Sequence, residues 1–420
     1  MDHEAVVRVL RALQKSGKSR IDRECDVLAH GYIAENVEPQ FTVRSAEFDS
    51  DPWFILADRY WNLRLTKEPT LQIAVLCAGW LNEHVEAEYR EAVREKWTMG
   101  YGFITRGTVE STEEIEAAAP DIIASDPDGS HAYFAVLYHA AKLRADRSFD
   151  ELLDFLKQSR LSDSIKKAYW DKTLFIALQA YGALGSEQTS VAYARRLADK
   201  AWNSPHRTRE TIDVVLNGLT VGGDFDGRGE LLRTRAAEAV AAFPDDHIFL
   251  FRLATGRRLC GDYDVALDSI RQAITKLPKS GWRISHELLQ EQYMAEERLI
   301  ISEQTIARQM HSAREAQERY TWQLTGIIEQ HKQDMAALIS SHEQQMKGLA
   351  DSARRGHVRS IEMIALFVAT IAFAVGTLNI SLNGTLALVA RLWMIAELGG
   401  GLLLFAFVIV GGTWVITRRE

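Results

Sequence analysis

Residues 248–278 read IFLFRLATGRRLCGDYDVALDSIRQAITKLP, and this stretch decides the fold. Leu253 and Ala254 sit on a first apolar run. Gly261-Asp262 interrupts it, and Val265, Ala266, Leu267 and Ala273 resume at helical spacing until Pro278. Glycine and aspartate mark a turn, because glycine tolerates backbone angles other residues avoid and aspartate bonds to nearby backbone N–H groups. Proline closes the second run, since it lacks an N–H and disfavours helix in the residue before it. The pattern is helix, tight turn, helix.

The pattern recurs toward the N-terminus. Gly185, Gly223 and Gly261 are evenly spaced, and Asp146 begins the series. Residues 212–244 keep Gly223-Asp224-Phe225-Asp226 and end in Phe243-Pro244. Residues 173–205 keep the small Ala192 and Ala198, and 131–158 fit as a helical pair. These features resemble the tetratricopeptide repeat, a helix–turn–helix unit of about 34 residues. The resemblance covers residues 130–282. It implies a solenoid with a partner-binding groove and carries no chemistry. By that resemblance, the groove-facing positions are Phe251, Thr255 and Arg258 in the last unit and Asp213, Asn217 and Thr220 in the one before. Asn217 and Arg258 suit the carboxylate clamp that some such repeats use, whereas Asp213 opposes it. The expected groove of Asn217, Phe251, Thr255 and Arg258 therefore takes an apolar or mixed peptide or helix.

Residues 1–129 read as mostly helical, with helical spacing over 5–13, 53–65 and 71–97 and an extended stretch over 39–50. Ser111-Thr112-Glu113-Glu114 has the form of a capping box. The region is either a set of degenerate repeats capping the solenoid or a compact domain with a small sheet.

Residues 284–357 contain no proline. Apolar or aromatic positions recur in steps of three and four through Ile306, Met310, Ala313, Tyr320 and Leu324. After a stutter they continue through Ile328, His331, Met335, Leu338, His342, Met346 and Leu349. This predicts a long helix with coiled-coil character, roughly 100 Å if continuous. Its seam is rich in His and Met, which suits reversible self-association; the alternative is a single helix packed back on the repeats. His311, His331 and His342 are either solvated or, on the seam, would loosen it when protonated near pH 6.

Residues 361–380 carry one charge, Glu362, and 398–416 carry none. At about 1.5 Å per residue each run can cross the roughly 30 Å hydrocarbon layer, which predicts a transmembrane hairpin. Arg354, Arg355 and Arg359 precede it, Arg418 and Arg419 follow it, and the connection holds only Arg391 and Glu397. By the positive-inside rule both termini are cytoplasmic and the connection faces out; the expected location is a bacterial inner membrane. The first residues lack the segments of a signal peptide. Small residues at Ala365, Ala369, Ala372 and Gly376, and at Ala396 and Gly400, either pack the hairpin or build an oligomer. Glu397 is either solvated at a helix entrance or lines a pore.

The 420 residues carry a net charge of -8 without a basic block, which disfavours nucleic acid as the partner. Three cysteines without a C-x-x-C spacing disfavour a disulfide framework or a zinc ribbon. No phosphate-loop, dinucleotide, zinc-protease or hydrolase signature occurs, so no enzyme, cofactor, metal or catalytic residue is expected. Residues 224–229 superficially resemble a calcium loop, but Arg228 and Arg235 stand where ligands belong. Residues 126–131 read as turn chemistry.

The expected architecture is all-α: a helical region (1–129), a repeat solenoid (130–282), a coiled-coil stalk (283–357) and a transmembrane hairpin (358–420). The expected function is a membrane-anchored adaptor or sensor that binds a protein or peptide through its repeats and self-associates through its stalk. The alternative is a membrane-permeabilising effector, since the layout is similar to bacterial defence or toxin effectors in which a cytoplasmic sensor controls a short transmembrane module. A third option, an enzyme within 1–129, has no acid, base or nucleophile constellation behind it.

Overall fold

Short polar side chains start the helices. Asp51, Thr70, Ser111, Ser190, Thr208 and Asp246 each accept a bond from a first-turn N–H, a group that a helix leaves without a partner. Ser111 and Glu114 complete the capping box in both directions, at 3.3 and 2.8 Å. The structure is a computed structural model. It describes residues 2–125, 128–278, 283–353, 360–382 and 388–417, without the side chains of 166–167, 283–285, 348–353, 360–366, 381–382, 388, 391, 406 and 409–417.

The described residues form an all-helical, repeat-like fold of eighteen helices with no strand. First come α1 (His3–Leu13), α2 (Lys18–Glu35), α3 (Pro52–Lys67), α4 (Leu71–His84), α5 (Arg90–Ile104) and α6 (Thr112–Ala124). The repeat region holds α7 (Ser130–Asp146), α8 (Phe149–Gln158), α9 (Arg160–Tyr169), α10 (Thr173–Gly185), α11 (Val191–Trp202), α12 (Arg209–Val221), α13 (Arg228–Ala242), α14 (His247–Leu259) and α15 (Tyr263–Lys276). Then follow α16 (Arg283–Ala353), α17 (Ser360–Leu382) and α18 (Leu388–Thr417). The chain divides into two compact units, residues 1–312 and 313–420.

The pairs α7–α8, α10–α11, α12–α13 and α14–α15 stand where the sequence spacing places them, with α9 as an extra short helix. Gly261, at φ +82°, makes the turn between α14 and α15. The helix expected over 71–97 is broken into α4 and α5. Val85 is extended and pairs with Val43 in an isolated bridge, where Val43 N–H donates to His84 O at 2.7 Å and Glu86 N–H to Val43 O at 3.1 Å. That bridge is the whole of the β-structure in the described N-terminal region.

One apolar core runs without interruption from Val6 through Phe54, Trp61, Trp97 and Tyr133 to Leu253. The N-terminal helices and the repeats therefore share a single interior. Burying each such large side chain is worth about 1.5–3 kcal/mol. A second cluster joins Leu250, Ala254, Ala266 and Ile270 to Tyr293 and Ile300. The first turns of α16 thus close the last repeat.

Two loops are fastened to α7 by a buried cation. Lys142 is fully buried, and its Nζ donates to Pro69 O at 2.9 Å, Thr108 O at 2.8 Å and Glu110 Oε1 at 2.7 Å. His139 Nδ1 donates to the other oxygen of Glu110 at 2.9 Å.

Where α13 crosses α14, only glycine fits. A Cβ on Gly256 would lie 2.7 Å from Arg233 N and 2.8 Å from its Cα, so backbone would have to move. Gly256→Val is expected to lower unfolding free energy by about 1–3 kcal/mol through overpacking. Denaturant unfolding checks this, and an unchanged midpoint would refute the close approach.

In the second unit α17 packs on α18. A Cβ on Gly376 would meet Leu398 at 3.0 Å, and one on Gly399 would meet Phe373 at 3.8 Å, whereas Gly400 faces open space. The small-residue contact on α18 therefore runs through Gly399. Ala369 is half-buried, Ala372 and Ala396 are exposed, and the side chain of Ala365 lies outside the described residues. Among the described residues no helix is long and apolar enough to cross a membrane. The side chains of 361–366 and 409–416, which complete the two expected spans, lie outside them. The expected stalk seam is largely exposed within a single chain: Leu324, Leu338 and Tyr320 are 55%, 58% and 70% exposed, and neighbouring Trp322 is 84%.

Candidate functional site

The first helices of the repeats, α7, α10, α12 and α14, all contribute residues to one cavity, as do α3 and α5. Helix α5 is joined to α12 where Thr208 Oγ1 donates to a Glu95 carboxylate oxygen. The cavity measures about 790 Å³ and is also walled by the first turns of α16. All of it belongs to the first unit.

The four expected groove residues, Asn217, Phe251, Thr255 and Arg258, all line this cavity. They do not reach it equally free. The Phe251 ring stacks on Tyr293 of α16, with centroids 4.8 Å apart. Thr255 Oγ1 donates to the Phe251 carbonyl at 3.2 Å. Arg258 Nε donates to Glu296 at 2.8 Å and its Nη1 to Glu303 at 2.7 Å. Helix α16 therefore occupies the groove end that the repeat pattern assigns to a partner. Asn217, half-buried on α12, makes no hydrogen bond through its side chain among the described residues.

The centre of the cavity is a cluster that the repeat spacing does not reveal. Arg144 Nη2, on α7, donates to Asp213 Oδ2 at 2.6 Å. Arg252 Nη2, on α14, stands 3.5 Å from Asp213 Oδ1. Burial pushes the Asp213 carboxyl up, but Arg144, Arg252 and Arg209 outweigh it and hold the group well below the ordinary carboxylate range. Burial lowers the Arg252 pKa, and the neighbouring charge of Arg144 adds to that. The Nε atoms of Arg144 and Arg252 and Oδ1 of Asp213 are shut from solvent without a hydrogen-bond partner. Arg209 is otherwise engaged, with Asp246 at 2.8 Å and Glu210 at 2.9 Å. Asp213, which in the sequence reading opposes an anion clamp, is thus neutralised by two arginines from other helices.

Near the rim, Glu95 is buried, and this raises its carboxyl to about 7; Glu91 and Glu210 push the same way, while Thr208 and Lys172 oppose. Elsewhere the polar motifs are structural. Arg228 Nη1 donates to Gly222 O at 2.7 Å within the α12–α13 turn, so residues 224–229 are a turn rather than an ion loop. Asp128 accepts from Ser130 N–H at 3.0 Å, and residues 126–127 lie outside the described residues. Among the described residues no group of three or more His, Cys, Asp or Glu is placed to hold a metal ion. Glu397 and His331 are exposed, and the ring of half-buried His342 meets that of Phe367 edge-on at 4.8 Å.

The cavity can hold and orient a charged ligand. In its lining, Tyr101 Oη donates to Asp58 Oδ1 at 3.2 Å. No family model matches the chain, nor does any curated protein or solved structure.

Proposed function

We propose that the chain is a membrane-anchored helical-repeat sensor or adaptor. Its concave cavity receives a partner, α16 self-associates, and the apolar C-terminal helices hold the assembly in a bacterial inner membrane with both termini cytoplasmic. One observation carries this reading: α16 walls the cavity through Tyr293 and Glu296 and continues as the same helix into the exposed apolar positions around Tyr320 and Leu324. A partner entering the cavity touches the helix that carries the association surface. Joining several copies would multiply weak contacts by avidity.

The test is cross-linking of the full chain and of Leu324→Glu/Leu338→Glu. Both positions contact water in the single chain, so the variant is expected to keep its melting temperature and lose its cross-linked oligomers. Unchanged oligomers would sink the self-association. In parallel, the full chain is expected to sediment with membranes and a chain ending at Arg359 is not.

A second reading, a membrane-permeabilising effector, is favoured by Glu397, an exposed acid at the start of the uncharged stretch 398–416 of α18. Residues 284–420 expressed alone would then depolarise bacteria. Intact membrane potential with that segment in the membrane would remove this reading.

A further inference from the structure

Seven basic and four acidic side chains line the cavity, in a chain whose net charge is -8. The positive excess is buried at its centre. Arg144 and Arg252 share one carboxylate, Asp213, while Arg209 has Asp246 and Glu210 of its own. The Arg252 side chain is only 11% exposed, its nearest carboxylate oxygen is 3.5 Å away, and its Nε has no acceptor. Taking a guanidinium out of water costs several kcal/mol unless paired charges and hydrogen bonds compensate. Here the compensation is half made. The planar fork of arginine matches the two oxygens of a carboxylate or phosphate. Asn217, with its amide free on the next turn of α12, adds a neutral donor. A cavity of about 790 Å³ has the size of a small-molecule site, which typically measures roughly 300–1,000 Å³. Tyr181, Phe251 and Tyr293 supply apolar wall around the charged centre.

We propose that this cavity binds a small oxyanion, a carboxylate or phosphate compound, seated on Arg144 and Arg252 with Asn217 beside it. The proposal rests on the reading of the cavity as a recognition site and names the chemistry it recognises. The same chemistry exists on acidic peptide segments, and the experiment separates the two sources. The glutamates that hold Arg258, Glu296 and Glu303, belong to α16. An anion in the cavity competes with them and so acts on that helix.

The experiment is calorimetric titration of the full chain in detergent, at constant ionic strength, with pyrophosphate, citrate and a hexaglutamate peptide. Saturable binding of pyrophosphate or citrate is expected, weakened at least tenfold in Arg252→Met. That variant nearly keeps the side-chain volume and leaves Asp213 with Arg144 alone, so its melting curve is recorded beside the parent's to show that it folds. Asn217→Asp places a negative charge in the cavity without breaking a bond inside the chain, and should weaken the same anions. Binding of hexaglutamate alone overturns the small-anion proposal, as does binding that survives both substitutions. Absence of binding overturns it too. In those cases an intact oligomer at the membrane leaves the sensor reading standing, and loss of that oligomer as well ends both.

Discussion

Lys142→Met is expected to lower the free energy of unfolding by about 3–5 kcal/mol, the usual consequence of removing one partner from a buried ion pair. Methionine nearly preserves the volume, so the loss reports charge and hydrogen bonding rather than a cavity. The Glu110 carboxylate would remain inside with only His139, and the Pro69 and Thr108 carbonyls would lose their donor. In the parent, burial alone would raise the pKa of Glu110, but the hydrogen bond from His139 and the charge of Lys142 outweigh it and lower it. Adding Glu110→Gln to Lys142→Met is expected to recover part of the loss, because the orphaned charge is then gone. Urea unfolding of the three variants measures both steps. A single-variant loss under about 1 kcal/mol would mean that the two loops are held by something other than this cation.

Glu95→Gln is expected to stabilise the protein at pH 8 by up to about 3 kcal/mol and to leave it nearly unchanged at pH 4. The sign follows from the raised pKa. The folded carboxyl titrates at about 7 against an ordinary 4.5, so the folded state holds a proton that the unfolded state has released across that window. The stability owed to protonated Glu95 is fully present below about pH 4.5 and is lost as the pH rises through 7. At about 1.4 kcal/mol per pKa unit this gives the upper figure. Glutamine keeps the acceptor for Thr208 without the charge. Melting curves of parent and variant from pH 4 to 8 should diverge upward with pH. Parallel curves would place the Glu95 titration elsewhere. The Thr208 hydrogen bond, which joins α5 to the start of α12, favours the ionised carboxylate and opposes the effect of burial.

Much of the helical pattern was legible in the sequence because its signals are local. Gly261-Asp262, Phe243-Pro244 and the Ser111–Glu114 capping box each act within a few residues, and the helices begin and end beside them. The break at Val85 was not legible, since its cause is Val43, far off in the chain. The groove positions Asn217, Phe251, Thr255 and Arg258 follow from helical periodicity within two units, and they do meet at one cavity.

Periodicity does not say what else arrives there. Arg144 comes from α7, Arg252 from α14 and Lys96 from α5, and no spacing in the sequence links them. Nor does a run of polar heptad-like residues announce that its first turns, at Tyr293 and Ile300, belong inside the last repeat. The sequence by itself determined the all-helical character, the paired-helix repeat and the apolar C-terminal runs. The tertiary structure alone decided the charged centre of the cavity and the capture of Arg258 by α16. The physical reason is range: caps, turns and periodicity act over a few residues, whereas pairing a buried charge depends on which distant helices are packed within about 4 Å.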